Sequence, residues 1–464
     1  MELNKTDITN RELREIHMHH RRSRLLIPLC AVLLLATVAC GSDKKKTSGG
    51  GKTGDKKKTE LADLSGTSLE VAAVWTGTEQ KNFRKVLDAF EKKTGAKVKY
   101  TPTGDDIAAA LGPRLAAKKP PDAAIVPQPA LFQNYAKKGN LQPLDDVVGD
   151  AYSQNYADIW KKLATVDGKI YGVWFKAANK SLVWYNTKPI TDAGVEPPKD
   201  WDGFVKALQT VSDSGITPLS VGGADGWTLT DWFENVYLSS AGPEKYDQLT
   251  QHKIPWTDPS VKTALGLLAK VFTKDFMAGG SKGALSTDFN TSVTQVFAKA
   301  PKAALVFEAD FVAGVIRDET KAKVGTDAKN FAFPATGSGD PSVVGGGDVA
   351  VLMKKSKGGE ELMKFLASPE AGAVWAKLGG FISPNKSLDT GAYPDDIAKS
   401  IAENLLTAAD KGNFRFDLSD QVPTEFGGTP GRGLFKLLQD FVANPSDVDG
   451  ITKQLESAAA KAQP

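Results

Sequence analysis

Histidine is nearly absent from the body of this chain, and that bounds its chemistry first. Of the four histidines, only His252 lies beyond residue 40. A metal centre built on His pairs, or a Ser-His-Asp triad with a choice of base, therefore lacks its parts. His252 stands in Gln251-His252-Lys253-Ile254-Pro255, which reads as a surface loop. Ser383-Pro384-Asn385-Lys386 fits S-x-x-K and Lys93-Thr94-Gly95 fits K-T-G, but their order is reversed and no S-D-N accompanies them. Carboxylates remain. Glu79, Asp122, Glu234, Glu308, Asp310 and Asp348 could include an acid/base pair of the glycosidase kind, although each alone is more often a cap, a surface charge or a hydrogen-bond anchor. No metal and no cofactor are expected.

The positive signal is tryptophan, of which there are nine. Flat aromatic faces suit the C–H faces of sugar rings, while Asp, Glu, Asn and Gln bond hydroxyls in pairs. Core packing is the competing use, and it is the favoured one for Trp184, Trp201 and Trp375. Trp227 follows Gly222-Gly223-Ala224-Asp225-Gly226, a loop in which a core role is less natural.

The N-terminal region carries an address. Arg21, Arg22 and Arg24 precede an apolar run from Leu25 to Val38, then the small Ala39 and Cys40. This order reads as a secretory signal, 1–39, cleaved before Cys40. The run is short for a membrane span of about 20 apolar residues. Cys40 at that point resembles the lipobox cysteine of bacterial lipoproteins, with Thr37 where lipoboxes usually carry Leu. The first seventeen residues add charge of both signs, so Met18 is the candidate true start. With Cys30 removed in the signal, Cys40 alone remains and no intramolecular disulfide is possible; stability must come from a large apolar core. Residues 40–65 form the expected tether, rich in Gly, Ser, Thr and Lys. The formal charge of +3 divides unevenly: the first 39 residues carry a net +2 and residues 41–60 a net +4, leaving −3 for the body. No basic groove for nucleic acid is implied.

The elements that would position these residues alternate strand and helix. Leu69 to Trp75 reads as a buried strand, and Thr76 with Glu79 reads as a capping box opening a helix whose Phe83, Val86, Leu87 and Phe90 recur at helical spacing. A strand at Val98–Tyr100 follows, then a helix over 105–118 broken or delayed at Gly112-Pro113, a strand at Ala123–Val126, and a helix at Ala130–Lys138. Such β-α units predict a parallel sheet with right-handed crossovers and a ligand beyond the strand ends. Here those ends carry Trp75 to Glu79 and Pro127-Gln128.

At this point the residues match a family. Val183-Trp184-Tyr185-Asn186 followed by Trp201-Asp202-Gly203-Phe204 resembles the signature of extracellular solute-binding proteins of ABC importers. Gly215–Pro218, Gly222–Trp227, Ala304–Phe311 and Gly380–Asn385 continue the match, which spans about 66–464. The segments at Trp75–Glu79 and Phe416–Asp420 are closest to the alpha-glucoside branch. The resemblance implies an α/β, two-lobe periplasmic-binding-protein-like fold (type II), hinge-linked, with a ligand cleft between the lobes. Lobe 1 would hold 66–176 plus 337–383 and lobe 2 would hold 177–336 plus 384–464, with crossings near Lys176–Asn179, Phe333–Ser342 and Ser383–Lys386. It also implies Trp75, Glu79, Gln128, Trp174, Asn179, Trp227, Glu308, Phe311 and Asp348 as pocket residues. Phe311 stands where many relatives carry Trp, so stacking there would be weaker. The implied partners are a sugar and the ABC permease subunits with their ATPase, with the membrane reached through the lipid anchor and the protein itself a monomer. Two other classes stay open: a surface glycan-acting enzyme using a carboxylate pair, and a binder of a non-sugar solute such as a polyamine, which would need an acidic aromatic cage.

Overall fold

The computed structural model describes residues 60–104, 106–337 and 342–462. The signal, Cys40, the start at Met18 and most of the tether lie outside the described residues. The tether ends before residue 65. Leu64 is buried, its N–H donates to the Thr94 carbonyl at 2.7 Å, and the Ala62 N–H donates to Glu361 Oε2 at 3.1 Å.

Among the described residues the strands are β1 (Ser68–Ala73), β2 (Lys97–Pro102), β3 (Ala123–Val126), β4 (Thr165–Val166), β5 (Lys169–Ile170), β6 (Gly172–Asn179), β7 (Leu182–Asn186), β8 (Leu219–Ser220), β9 (Leu305–Phe307), β10 (Ala328–Ala332), β11 (Val343–Leu352) and β12 (Phe414–Phe416). Among these, one sheet runs β12-β11-β3-β1-β2 with β6 also on β11, and a second runs β10-β7-β9-β8. The β-α reading holds for the start: β1 lies parallel to both β2 and β3. The helix Gly77–Thr94 between them buries Phe83, Val86, Leu87 and Phe90 on one stripe.

The first sheet is nonetheless mixed. β11, ten residues from Val343 to Leu352, runs antiparallel to β3 and to β6. Its Gly345-Gly346-Gly347 run carries no apolar signal, yet close packing requires it. A Cβ on Gly347 would lie 2.6 Å from the Lys176 carbonyl oxygen, and one on Gly345 would lie 2.8 Å from that of Ala178. The helix Ile107–Ala116 also departs from expectation by running through Pro113. Pro113 costs one internal hydrogen bond, and the helix continues only three residues beyond it.

The chain passes between the sheets at Lys180-Ser181, which joins β6 to β7, and again between β10 and β11. These crossings touch: the Lys180 N–H donates to the Val344 carbonyl at 2.9 Å, the Val344 N–H to Ser181 Oγ at 3.0 Å, and the Phe333 N–H to the Ser181 carbonyl at 2.8 Å. The third crossing, expected near Ser383–Lys386, falls at Asp417. The helix Asp396–Lys411 packs on β6, β11 and β12, and β12 pairs with β11, so this stretch stays with the first sheet. Only after Asp417 do the helices Gly433–Ala443 and Val448–Ala462 pack against Trp227–Thr250 and Pro259–Ala269 of the second.

Because the β6–β11 approach leaves no room for a side chain, Gly347→Ala must displace backbone. It is expected to cost roughly 1–3 kcal/mol, the range for overpacking a filled site. Urea unfolding of the two proteins measures it, and an unchanged midpoint would show that the strands can part freely.

Candidate ligand-binding site

A cavity of about 340 Å³ lies between the two sheets. The first contributes Trp75, Thr76 and Glu79, where β1 ends and a helix begins, Gln128 after β3, and Asp348 of β11. The second contributes Trp227, Phe289 and Phe311. Between them, Lys176, Ala178 and Lys180 line the cavity from β6 and the residue after it, at the period-two spacing of one strand face.

The nine expected residues divide. Trp75, Glu79, Gln128, Trp227, Phe311 and Asp348 are on the cavity wall. Trp174 is not: it is fully buried against Trp160 and Phe416. Simple alternation from Lys176 would place Trp174 on the cavity side, but the β6–β11 register slips there, with Asp348 opposite Lys176 and Val349 opposite Trp174. The bulge at Phe175 turns Trp174 to the other face. Asn179 has the wrong parity and lines a separate groove with Phe333 and Ile397, its N–H donating to Asp310 Oδ1 at 2.8 Å. Glu308 is buried behind the wall, where its Oε2 accepts from the Ala309 N–H at 3.1 Å. Trp375, expected in the core, is fully buried by its neighbours yet borders the cavity.

Helix starts place two key side chains. Trp227 opens a helix that runs to Thr250 with a kink at Gly242. Gly226 before it has φ +82, and a Cβ there would meet Phe435 Cβ at 2.6 Å, so glycine is required. At the other start, the expected capping box does not form. Thr76 makes no side-chain cap hydrogen bond, and Glu79 instead accepts from Lys176 Nζ at 2.6 Å.

Lys176 and Lys180 are the residues sequence reasoning missed. Their signal was present: two lysines two positions either side of Ala178, in a run from Gly172 to Trp184 whose only other polar residues are Asn179 and Ser181. Lys176 Nζ also lies 3.8 Å from Asp348 Oδ2. Burial works to lower its pKa, but Glu79, Asp348 and Asp310 outweigh it and the ammonium titrates above its ordinary value. Lys180 Nζ lies 3.0 Å from Asp231 Oδ1 and 2.5 Å from Asp417 Oδ2. There too burial lowers the pKa, and Asp231 and Asp417 more than restore it. Burial pushes Asp417 up, but Lys180 overcomes this and holds it well below the carboxylate range.

Other carboxyls go the opposite way. Burial raises Asp310 to about 7 and Asp348 to about 6, against the pull of Lys176 in both cases. Asp231 Oδ2 and Glu308 Oε1 are buried without a conventional partner. Burial raises the pKa of both carboxyls, more than the Lys180 ammonium can offset. Asp231, Glu234 and Asp417 present oxygens within 4.8 Å of one another, a spacing suited to a metal ion. The Lys180 ammonium already holds two of the three, and Glu234 accepts from the Leu418 and Ser419 N–H groups and from Tyr246 Oη. Gln128 spans the cavity, donating from Nε2 to the Gly428 carbonyl at 3.2 Å.

Other candidate chemistry is absorbed elsewhere. His252 Nε2 pairs with Glu456 at 3.1 Å. Gly279-Gly280-Ser281-Lys282-Gly283 has G-x-S-x-G spacing, but Ser281 sits inside the helix Gly280–Ser286 and no strand leads into it.

Two α/β sheets with their helices, crossed by the chain and enclosing a polar-aromatic cavity, define a binding protein of the periplasmic type. Residues 75–373 match the model of the bacterial extracellular solute-binding protein family, and the chain belongs to that family. It is 34% identical over 396 residues to the osmoprotective compounds-binding protein GgtB of Synechocystis sp. (strain ATCC 27184 / PCC 6803 / Kazusa), spanning 83% of this chain and 89% of that one. It is also 34% identical over 415 residues to the alpha-glucosides-binding periplasmic protein AglE of Rhizobium meliloti (strain 1021), spanning 85% and 88%. A chitin oligosaccharide binding protein shares the fold at a TM-score of 0.71 and 23% identity, over 85% of this chain and 98% of that one. RafE in complex with raffinose shares it at 0.71 and 17%, over 86% and 100%. Among the described residues no helix is long and apolar enough to cross a membrane.

The raised Asp348 carboxyl makes stability depend on pH. Its folded value of about 6 lies above the ordinary aspartate value of 3.8, so between those limits the folded chain holds the extra proton. The contribution is complete below about pH 4 and is lost as pH rises through 6, at up to about 1.4 kcal/mol per pH unit. Asp348→Asn should flatten that fall in urea melts taken between pH 4 and 6. Parallel curves for the two proteins would place the proton elsewhere.

Proposed function

We propose that this chain is the substrate-binding component of an ABC importer. Its ligand is a sugar, an alpha-glucoside or another small oligosaccharide, captured as the lobes close and delivered to the permease. The observation that carries the reading is the make-up of the cavity: ring faces from Trp75, Trp227 and Phe311 on both lobes beside Glu79, Gln128 and Asp348. Apolar faces take the C–H side of a sugar, and paired polar groups take its hydroxyls. A volume near 340 Å³ is in the range of small-ligand pockets. Closure would be a shift toward the state in which one ligand touches both lobes. The alpha-glucosides-binding relative supports the substrate class.

The protein acts as a receptor and not a catalyst. Glu79 and Asp348, two carboxylates on the wall, both serve Lys176, and the single histidine of the body is paired elsewhere. It works as a monomer without a cofactor, exported and held to the outer face of the cytoplasmic membrane by lipid on Cys40.

A thermal-shift panel of mono- and disaccharides tests the substrate class. A sugar present at about 100 times its Kd adds about 2.7 kcal/mol, and Trp227→Ala should weaken that binding in calorimetry while leaving the fold intact. A melting point moved by a non-sugar and by no sugar would sink the assignment. The anchor has its own test. The native protein should partition into the detergent phase of a cloud-point extraction and Cys40→Ala into the aqueous phase; equal partition would rule out the lipid.

A further inference from the structure

A binder of organic cations needs an acidic aromatic cage, and this cleft contains one, filled by the chain's own ammonium. Lys176 Nζ lies 5.1 Å from the ring centre of Phe311, 5.7 Å from that of Trp375 and 6.0 Å from that of Trp75. Glu79 Oε1 at 2.6 Å and Asp348 Oδ2 at 3.8 Å supply the negative charge. The cage is assembled from separate parts of the fold: the end of β1, the helix Pro369–Ala376, the residue before the helix Val312–Glu319, and β11. Only 4% of the Lys176 side chain is exposed.

We propose that Lys176 is a specificity-determining residue: by occupying the Trp75–Phe311–Trp375 cage it bars organic cations from the cleft and leaves it to neutral, hydroxyl-bearing ligands. Ring faces and carboxylates in a dry site attract an ammonium strongly, so an empty cage would select alkylammonium and polyamine ligands. With Lys176 in place, an incoming cation meets a covalently held like charge whose counter-ions are already engaged. A neutral polyol meets no such repulsion, and Glu79 and Asp348 keep lone pairs for its hydroxyls. Lys180 differs in kind. Its ammonium has one ring, Trp227 at 5.6 Å, and two carboxylates in direct contact, so it is an ion-pair centre and not a cage.

The inference rests on the cavity being the ligand site, but its test needs no sugar. Tetramethylammonium and propylammonium chlorides are titrated calorimetrically into the full chain and into Lys176→Ala, at low salt near pH 7. The native protein is expected to show no binding, and Lys176→Ala to bind both cations about tenfold or more tighter. Lys176→Arg, which keeps the charge, should exclude them like the native protein. If Lys176→Ala melts early, the same cage reports itself as a rise in Tm with propylammonium over equal sodium chloride, and Lys176→Gln gives the readout in a milder variant. Cation binding by the native protein as tight as by the variants, or no gain in either neutral variant, overturns the proposal. Failure of every sugar against the native protein would instead count against the sugar reading alone.

Discussion

The Lys180 ammonium, held at 3.0 Å by Asp231 and at 2.5 Å by Asp417, is the interaction on which the two-lobe arrangement depends. Its backbone lies in the first crossing and its N–H donates to Val344 at the start of β11, which the second crossing feeds. Asp417 is the third crossing, and its own N–H donates to the Gly345 carbonyl at 2.7 Å. One residue thus ties all three passages of the chain together, its backbone joining the first two and its ammonium reaching the third. Such a charge is costly to bury, and removing one partner of a buried pair typically costs about 3–5 kcal/mol. Of the surrounding carboxyls, Glu234 and Glu308 accept from backbone N–H groups, and burial raises the pKa of Asp231, Glu234 and Glu308 alike. The hinge is therefore held by a network with little tolerance for a missing member.

The same strand sets the chemistry of the cleft. With Lys176, Ala178 and Lys180 on one face, β6 delivers a cation into each half of the cavity, and each half answers with carboxylates on its own elements. The rings that a sugar would stack on also border these ammoniums. Trp75 and Phe311 share theirs with Lys176, while Trp227 shares its with Lys180. A ligand in this cavity would meet aromatic faces polarised from one side and carboxylates whose charge is largely matched. That favours many directional hydrogen bonds over one strong ion pair.

How much of this could be read beforehand depended on whether the signal was local. The helix Gly77–Thr94 and the strand Ala123–Val126 were legible because hydrophobic spacing and end signals agreed. The helix Asp145–Asn155 was not: it buries only Val148 and Tyr152, too little to mark a period. Placement on the cavity wall was legible at strand ends, where topology alone brings Trp75, Glu79 and Gln128 together. It failed along β6, where a one-residue bulge reverses the face of Trp174, and parity turns Asn179 away. The third crossing was misplaced because β12 is three residues long, and its pairing with β11 is a contact between distant parts of the chain.

Where a local rule failed most plainly, a buried ammonium explains the failure. Thr76 and Glu79 have the spacing of a capping box, an arrangement in which the Thr hydroxyl and the Glu carboxylate satisfy free N–H groups of the first turn. The helix forgoes it, although a lost cap costs about 1 kcal/mol. Glu79 turns instead to Lys176 Nζ, reaching from the first lobe to the hinge strand. A buried ammonium without that partner would cost more than the cap is worth. The trade leaves the first turn of the helix open at the cavity edge, with Thr76 and Thr78 beside Glu79 on the wall. An uncapped helix N-terminus would offer N–H donors to a ligand held in the cavity, complementing the acceptors that Glu79 and Asp348 would provide.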